Sequence, residues 1–323
     1  MAPSVPSSIT AVQGVTVGHW TDLPRATGCT VVLGPEAGIR AACAVRGRAT
    51  GTRELDALSP NHLVDRVDAI LLTGGSAYGL GAADGVMRWL RERGRGLPVG
   101  PAGRVPIVPA AVLFDFDLAP GGKADRWPTA DDAYRACAAA SREVAEGSVG
   151  AGTGATVGKA LGPRGAMKGG VGTWAAAGGD IVVGALVVLN AVGNVLDGSG
   201  AILAGARGPD GRHVDALAHF AGGGVPFPRN TTLAVVATNA ALERTALEGL
   251  AHAAGDALAR RIVPYGTMFD GDVVFAISTA TTAPATPLQA EALAQLAVPV
   301  AVERAVRLAR GRGDVPGLAD RGA

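Results

Sequence analysis

The chain is poor in cysteine, aromatic side chains, charge and, above all, lysine. Its 323 residues hold three cysteines, Cys29, Cys43 and Cys137, with no Cys-x-x-Cys spacing. An odd, scattered set argues against a disulfide framework or a thiolate zinc site. It reads as small buried hydrophobes in a reducing cytoplasm. Charged residues make up 18% and the formal net charge is +1, with no basic stripe. Neither a nucleic acid nor a membrane surface is expected as a partner. The longest apolar run, Ile181 to Val192, is broken by Gly184 and Asn190. It is too short to cross a bilayer. The opening MAPSVPSSITAVQGV has no basic region ahead of an apolar core, so it does not read as a secretory signal. There is no His-Glu-x-x-His. His213 and His219, with Asp215 between them, match no metal-ligand spacing, and no metal or cofactor is expected.

What is present is apolar and glycine-rich. Hydrophobic residues are 48% of the chain and glycine numbers 48, without a three-residue repeat that would suggest collagen. So little polar surface predicts apolar patches buried between subunits, hence a homo-oligomer. Of the 29 cationic residues only Lys123, Lys159 and Lys168 are lysines. Two of them lie in a glycine-rich stretch, where a compact ammonium with a burial-sensitive pKa can do what a guanidinium cannot.

The length allows one large domain or two ordinary ones. Strand-like runs are Val15 to His19, Cys29 to Leu33, Ala41 to Val45 and Ala69 to Thr73. LLTGGSAYGLGAADGVMRWLRERG reads as strand, turn and helix, stopping at Gly94. VPIVPAAVLFDFD reads as another strand, and Asp131 to Glu146 as an Ala-rich helix. Strands are expected at Thr173 to Ala177 and Ile181 to Asn190, then polar loops over Asp197 to Gly224. The last part reads strand (Leu233 to Ala237), helix (Ala240 to Arg261), strand (Val273 to Thr279) and a helix from Pro287 that Pro299 kinks or ends. The mixture argues for α/β or α+β layers.

GAGTGATVGK fails as a phosphate loop: its glycine spacings are five and three, not four, and Ala160 stands where Ser or Thr should hold magnesium. GGSAYG is not a nucleophile elbow, because its last glycine falls one residue late. PFPRNTTLAVVATN is more informative. A polar turn, Pro226 to Asn230, runs into Thr231-Thr232 and a buried strand. A threonine hydroxyl needs an adjacent base, and an N-terminal residue carries one, its own amine. The chain could obtain such a residue by cutting itself: the Thr231 hydroxyl attacks the Asn230 carbonyl and water cleaves the ester. An ordinary turn with local hydrogen bonds is the simpler reading of the same residues. Asp270-Gly-Asp272 at a strand entrance puts two carboxylates on one side, a proton shuttle or a surface turn. Asn190, ending an apolar strand, could donate to an oxyanion or pin a turn.

These residues carry a resemblance. GVTVGHWTD (Gly14 to Asp22), TGCTVVL, LLTGGSAYGL, VPIVPAAVLFD, GSVGAGTGATVGK, VVLNAVGN, NTTLAVVATN and FDGDVVFAIST are similar to DmpA-type aminopeptidases and amidases. They are more similar to the nylon-oligomer (6-aminohexanoate-oligomer) hydrolases. The resemblance implies a single α/β hydrolase domain over 1–323, a four-layer αββα sandwich related to ornithine acetyltransferases. It implies autocleavage between Asn230 and Thr231 into chains 1–230 and 231–323 that stay together, a homo-oligomer that is a tetramer of this αβ unit, and a small amide or peptide substrate. Thr231 matches the nucleophile, Asp270 and Asp272 the acidic pair, and Lys159 and Asn190 the remaining polar site residues, with Lys168 close enough in sequence to be confused with Lys159. Phe114 and Phe116 match a substrate wall, and Tyr78 is a weaker candidate for substrate binding. RGRATGTREL departs from the family, which usually has Pro where Ala49-Thr50 stand. An aminopeptidase must anchor a free amine, which favours a carboxylate near the pocket, whereas an oligoamide hydrolase needs a longer apolar cleft. Thr231 with Asp270 and Asp272, where the aminopeptidases usually have Ser with Ser and Glu, tilts the expectation to an oligoamide hydrolase, with the aminopeptidase as the alternative. An acyltransferase acting on ornithine and a non-catalytic scaffold are the other classes considered.

Overall fold

A computed structural model of the chain describes residues 8–226, 229–282 and 285–322. Two five-stranded sheets carry the fold. The first comprises β1 (Thr16–Asp22), β2 (Thr27–Leu33), β4 (Thr52–Arg53), β5 (Ala69–Thr73) and β6 (Ala110–Val112). Their spatial order is β1-β2-β5-β6-β4, parallel only between β5 and β6. The second comprises β3 (Arg40–Val45), β7 (Val171–Gly178), β8 (Ile181–Asn190), β9 (Thr231–Ala240) and β10 (Val273–Thr282). Its order is β7-β8-β9-β10-β3, parallel only between β9 and β10.

Strand alternation sorts the apolar side chains into three cores. Val32, Ile70 and Leu72 of the first sheet share one cluster with Leu186, Val188, Val235 and Phe275 of the second. The opposite face of the first sheet, through Val31 and Leu71, packs on α1 (Ala83–Glu92) and α2 (Ala130–Ala138). The opposite face of the second, through Val187, Val236 and Val274, packs on α3 (Arg244–Ala259) and α4 (Pro287–Arg307). Both faces of β2 and β9 are therefore covered, and every residue in each is buried. α4 lies so close on β7 that a Cβ at Gly172 would stand 2.0 Å from the Ala301 carbonyl oxygen, so only glycine fits there.

Several expected boundaries move. α2 ends at Ala138, not Glu146, because Ser141 leaves the helix and exchanges both backbone hydrogen bonds with Val17 of β1. α4 runs through Pro299 to Arg307 without ending. The carbonyl that Pro299 cannot pair with, that of Gln295, accepts from the Arg260 guanidinium at 3.0 Å instead. β6 is only Ala110–Val112, since Pro106 and Pro109 lack ladder donors. The polar stretch 197–224 contains a short strand, Ile202–Ala204, and a short helix, Ala216–Ala221. α3 is shorter than expected at both ends, while Leu247, Leu250, Ala254 and Leu258 all face the core. Part of the turn Pro226 to Asn230 lies outside the described residues, as do residues 1–7 of the N-terminal segment.

Candidate active site

The middle of the second sheet brings the singled-out residues together. The antiparallel register of β8 and β9 sets Asn190, the last residue of one, opposite Thr231, the first of the other. The parallel neighbour β10 begins at Val273, so the Asp270-Gly-Asp272 segment before it lies alongside the chain entering β9. Asn230 bridges Asp270, and the Gly271 N–H donates to the Asn230 carbonyl at 2.8 Å. A crossover through α3 makes these neighbours although 39 or more residues separate them in sequence: Thr232 N–H donates to Asp272 Oδ1 at 2.5 Å across a separation of 40.

Thr231 Oγ1 donates to the same Asn230 carbonyl oxygen at 2.5 Å. It faces a cavity of about 170 Å3 that Ala49, Ser76, Leu113, Phe114, Arg229 and Phe269 help to line. Thr232 points away: it is fully buried, does not line this cavity, and its hydroxyl has no hydrogen-bond partner among the described residues.

Lys159 is buried and donates to Asn190 Oδ1 at 2.8 Å, the Asn190 carbonyl at 2.9 Å and the Arg229 carbonyl at 3.1 Å. Burial pulls its pKa from 10.5 down to about 8, against the pull of Asp117, Asp270 and Asp272. Asn190 accepts from the Thr156 N–H at 3.0 Å, and its Nδ2 donates to the Phe114 carbonyl at 2.9 Å and the Arg229 carbonyl at 3.3 Å. Every hydrogen-bonding atom of that buried amide is therefore used. Lys168 is elsewhere, donating to the carbonyls of Gly152, Ala155 and Gly169. Geometry thus groups Lys159, not Lys168, with Thr231.

The two carboxylates are buried, not on a surface turn. Asp270 Oδ2 accepts from the Thr267 hydroxyl at 2.5 Å and its N–H at 3.0 Å. Asp272 accepts from Thr232 and, at 3.1 Å, from the Gly266 N–H. Burial raises the pKa of Asp270, and burial followed by the charge of Asp270 raises that of Asp272 well above the usual carboxylate range. The backbone donors to Asp272 oppose this and are outweighed. Such a pair can hold a proton between its two carboxyl groups.

The aromatic candidates divide. Phe114 lines the cavity, and Phe116 meets it edge-on with ring centroids 5.1 Å apart. Tyr78 does not reach it: its ring is exposed and stacks on Trp127 with centroids 4.5 Å apart. The side chain of His213 is exposed, and among the described residues no three His, Cys, Asp or Glu side chains converge as a metal site. Sequence reasoning missed the Gly271 N–H, whose role depends on strand pairing. It also missed Ser76, held at a left-handed φ of 51° on the cavity wall, although GGSAYG reads as a strand-to-helix turn there.

A mixed α/β fold sets the Thr231 hydroxyl on a small cavity, with a buried ammonium and two buried carboxylates close by, an arrangement able to cleave peptide or amide bonds. The comparisons give the class of protein, a hydrolase of peptide or amide bonds. The model of Peptidase family S58 matches residues 7–309, and the chain belongs to that family. It is 47% identical over 296 residues to an uncharacterized aminopeptidase of Mycobacterium tuberculosis, covering 86% of this chain and 83% of the relative. It is 34% identical over 281 residues to a 6-aminohexanoate-oligomer endohydrolase of Kocuria sp., covering 82% of this chain and 73% of the relative. Its fold is similar to the L-aminopeptidase D-Ala-esterase/amidase of Ochrobactrum anthropi, described as a variant of the Ntn hydrolase fold. That similarity has a TM-score of 0.71 at 22% identity and covers 96% of this chain and 88% of that one. Among the described residues no helix is long and apolar enough to cross a membrane.

Proposed function

We propose that the chain is a self-processing amide hydrolase whose nucleophile is Thr231. The observation that carries the reading is the Asn230 carbonyl. It receives the Thr231 hydroxyl at 2.5 Å and the Gly271 N–H at 2.8 Å, in front of Lys159 and two buried carboxylates. In self-cleavage the Thr231 oxygen attacks the Asn230 carbonyl carbon. The Gly271 N–H stabilises the oxyanion, the hydroxyl proton passes to the Thr231 nitrogen, and the C–N bond breaks to leave an ester on Thr231 Oγ1 and a free Thr231 amine. Water then hydrolyses the ester. The products are an Asn230 carboxylate ending residues 1–230 and a Thr231 amine heading residues 231–323.

Substrate turnover repeats the attack on an external amide. The Thr231 amine takes the hydroxyl proton, assisted by Lys159, Asp270 and Asp272, and passes it to the leaving amine. Asn190 Nδ2, aimed in the uncut chain at the Arg229 carbonyl, joins Gly271 N–H as an oxyanion donor; each such donor is typically worth about 3–4 kcal/mol. Water then releases the acyl group. Helices on the outer face of each sheet support a four-layer αββα sandwich. Exposed Leu288 and Leu296 on α4 support assembly into tetramers of the αβ unit.

Small linear oligoamides or short peptides are the proposed substrates, with 6-aminohexanoate oligomers and amino-terminal amides as the two readings. Similarity to the uncharacterized aminopeptidases favours the second. Intact mass under denaturing conditions tests processing: two polypeptides divided after Asn230 are expected from the natural chain and one from Thr231→Ala. A fully active single polypeptide would overturn the proposal. Assay of a linear 6-aminohexanoate oligomer beside amino-acid p-nitroanilides separates the two substrates. Acyl transfer to ornithine in preference to water would mark the acyltransferase alternative instead.

A further inference from the structure

The stretch LFDFD carries a carboxylate that the mechanism above does not use. Asp117 follows Phe116 in a turn, and its side chain is only 5% exposed. A carboxylate so buried needs a positive partner: removing one member of a buried pair leaves a charge that water cannot reach. The partner here is Arg229, whose Nη1 donates to Asp117 Oδ1 at 2.9 Å. The guanidinium carbon also stands 4.9 Å from the centre of the Phe114 ring, a cation–π contact. Arg229 and Phe114 both line the cavity that holds Thr231. Asp117 borders a neighbouring cavity of about 840 Å3, so the ion pair stands between the two.

Arg229 is the residue before the proposed scissile bond. Cutting after Asn230 removes the covalent link that holds Arg229 at the head of β9, so the new chain end can withdraw. When it leaves, its guanidinium leaves the Asp117–Phe114 cradle. What remains is an acidic, ring-walled seat next to the nucleophile.

We propose that Asp117 and the Phe114 ring form the subsite for the ammonium end of the substrate, and that the Arg229 guanidinium occupies it in the uncut chain. This rests on the processing proposed above and adds to it the charge the substrate must carry. Asp117 is then a binding residue.

The first test is binding, independent of turnover. In an uncut Thr231→Ala chain, calorimetry with alanine amide, a primary ammonium, is expected to detect no binding because Arg229 fills the seat. Adding Arg229→Ala should create binding, at least about 10-fold tighter than for N-acetylalanine amide. Adding Asp117→Asn should then remove it. Equal binding of the charged and acetylated probes, or binding that survives Asp117→Asn, overturns the proposal. The second test uses the mature enzyme with alanine p-nitroanilide and its N-acetyl counterpart. The natural chain should favour the free amine by about 10-fold or more in kcat/KM, mainly through KM, and Asp117→Asn should bring the ratio to within about 3-fold of unity. The ratio is read because Asp117 also acts electrostatically on Lys159, which both substrates feel alike. A preserved preference sinks the subsite alone. A single uncut but active polypeptide sinks the processing itself.

Discussion

Gly271→Ala tests the proposed nucleophile by adding one methyl group. A Cβ on Gly271 would stand 2.8 Å from Thr231 Oγ1 and 2.8 Å from the Ala49 carbonyl oxygen. A relaxed carbon–oxygen contact is about 3.3–3.6 Å, so one or both oxygens must retreat by roughly half an ångström. The Ala49 oxygen is backbone, fixed because the Ala49 N–H donates to the Asp270 carbonyl at 2.9 Å. The Thr231 hydroxyl is the freer of the two and should give way. Overpacking of this size typically costs about 1–3 kcal/mol of stability. The rate is more sensitive, since a 1 Å misplacement can cost about 100-fold. The alanine variant retains the Gly271 N–H, so its oxyanion donor is kept and the loss reports on the hydroxyl. Self-cleavage followed by denaturing gel, and amide hydrolysis per cut chain, should each fall about 10- to 100-fold while the chain still folds. Natural rates of both in a folded Gly271→Ala protein would refute the placement of Thr231 as nucleophile.

Other substitutions separate neighbouring groups. Thr232→Val removes a buried hydroxyl that has no partner among the described residues; cleavage after Asn230 and activity should persist, with stability unchanged or raised, by intact mass and thermal melting. Asn190→Leu strands the Thr156 N–H and the Phe114 carbonyl, and takes from the Lys159 ammonium one of its three acceptors. It should abolish cleavage and lower stability by about 1–3 kcal/mol per stranded group, as urea titration would measure. Burial brings the Lys168 pKa from 10.5 down to about 7. Between those values the unfolded chain binds more protons than the folded one, so this residue makes stability rise with pH across that window. Lys168→Met should flatten the rise in denaturant titrations from pH 6.5 upward, and a slope equal to the natural one would contradict a buried, proton-shedding Lys168.

Much of the architecture is legible locally. The nearly continuous apolar runs at Ala69 to Thr73 and Ile181 to Asn190 mark strands at their actual boundaries, because a strand buried on both faces admits little else. Boundaries fail where a distant partner decides them. Ser141 is drawn out of α2 by β1, and Pro299 survives inside α4 because the Arg260 guanidinium satisfies the carbonyl it leaves free. Neither partner is near in sequence. Among the candidate residues, Thr231, Asp270, Asp272 and Asn190 are recognisable from residue type and position beside strands, and Lys159 from its rarity in an arginine-rich chain.

By itself, then, the sequence determined the order and type of the main elements and which polar groups lie at the ends of buried strands, since periodicity and burial act over a few residues. Only the tertiary structure decided their company. Register across β8, β9 and β10 sets Asn190, Thr231 and the Asp-Gly-Asp segment side by side. It separates Lys159 from Lys168, turns Tyr78 out to Trp127, and pairs Asp117 with Arg229. Hydrogen bonds and ion pairs act over about 3 Å, and no spacing along the chain can state a distance of that kind between residues that meet only through the fold.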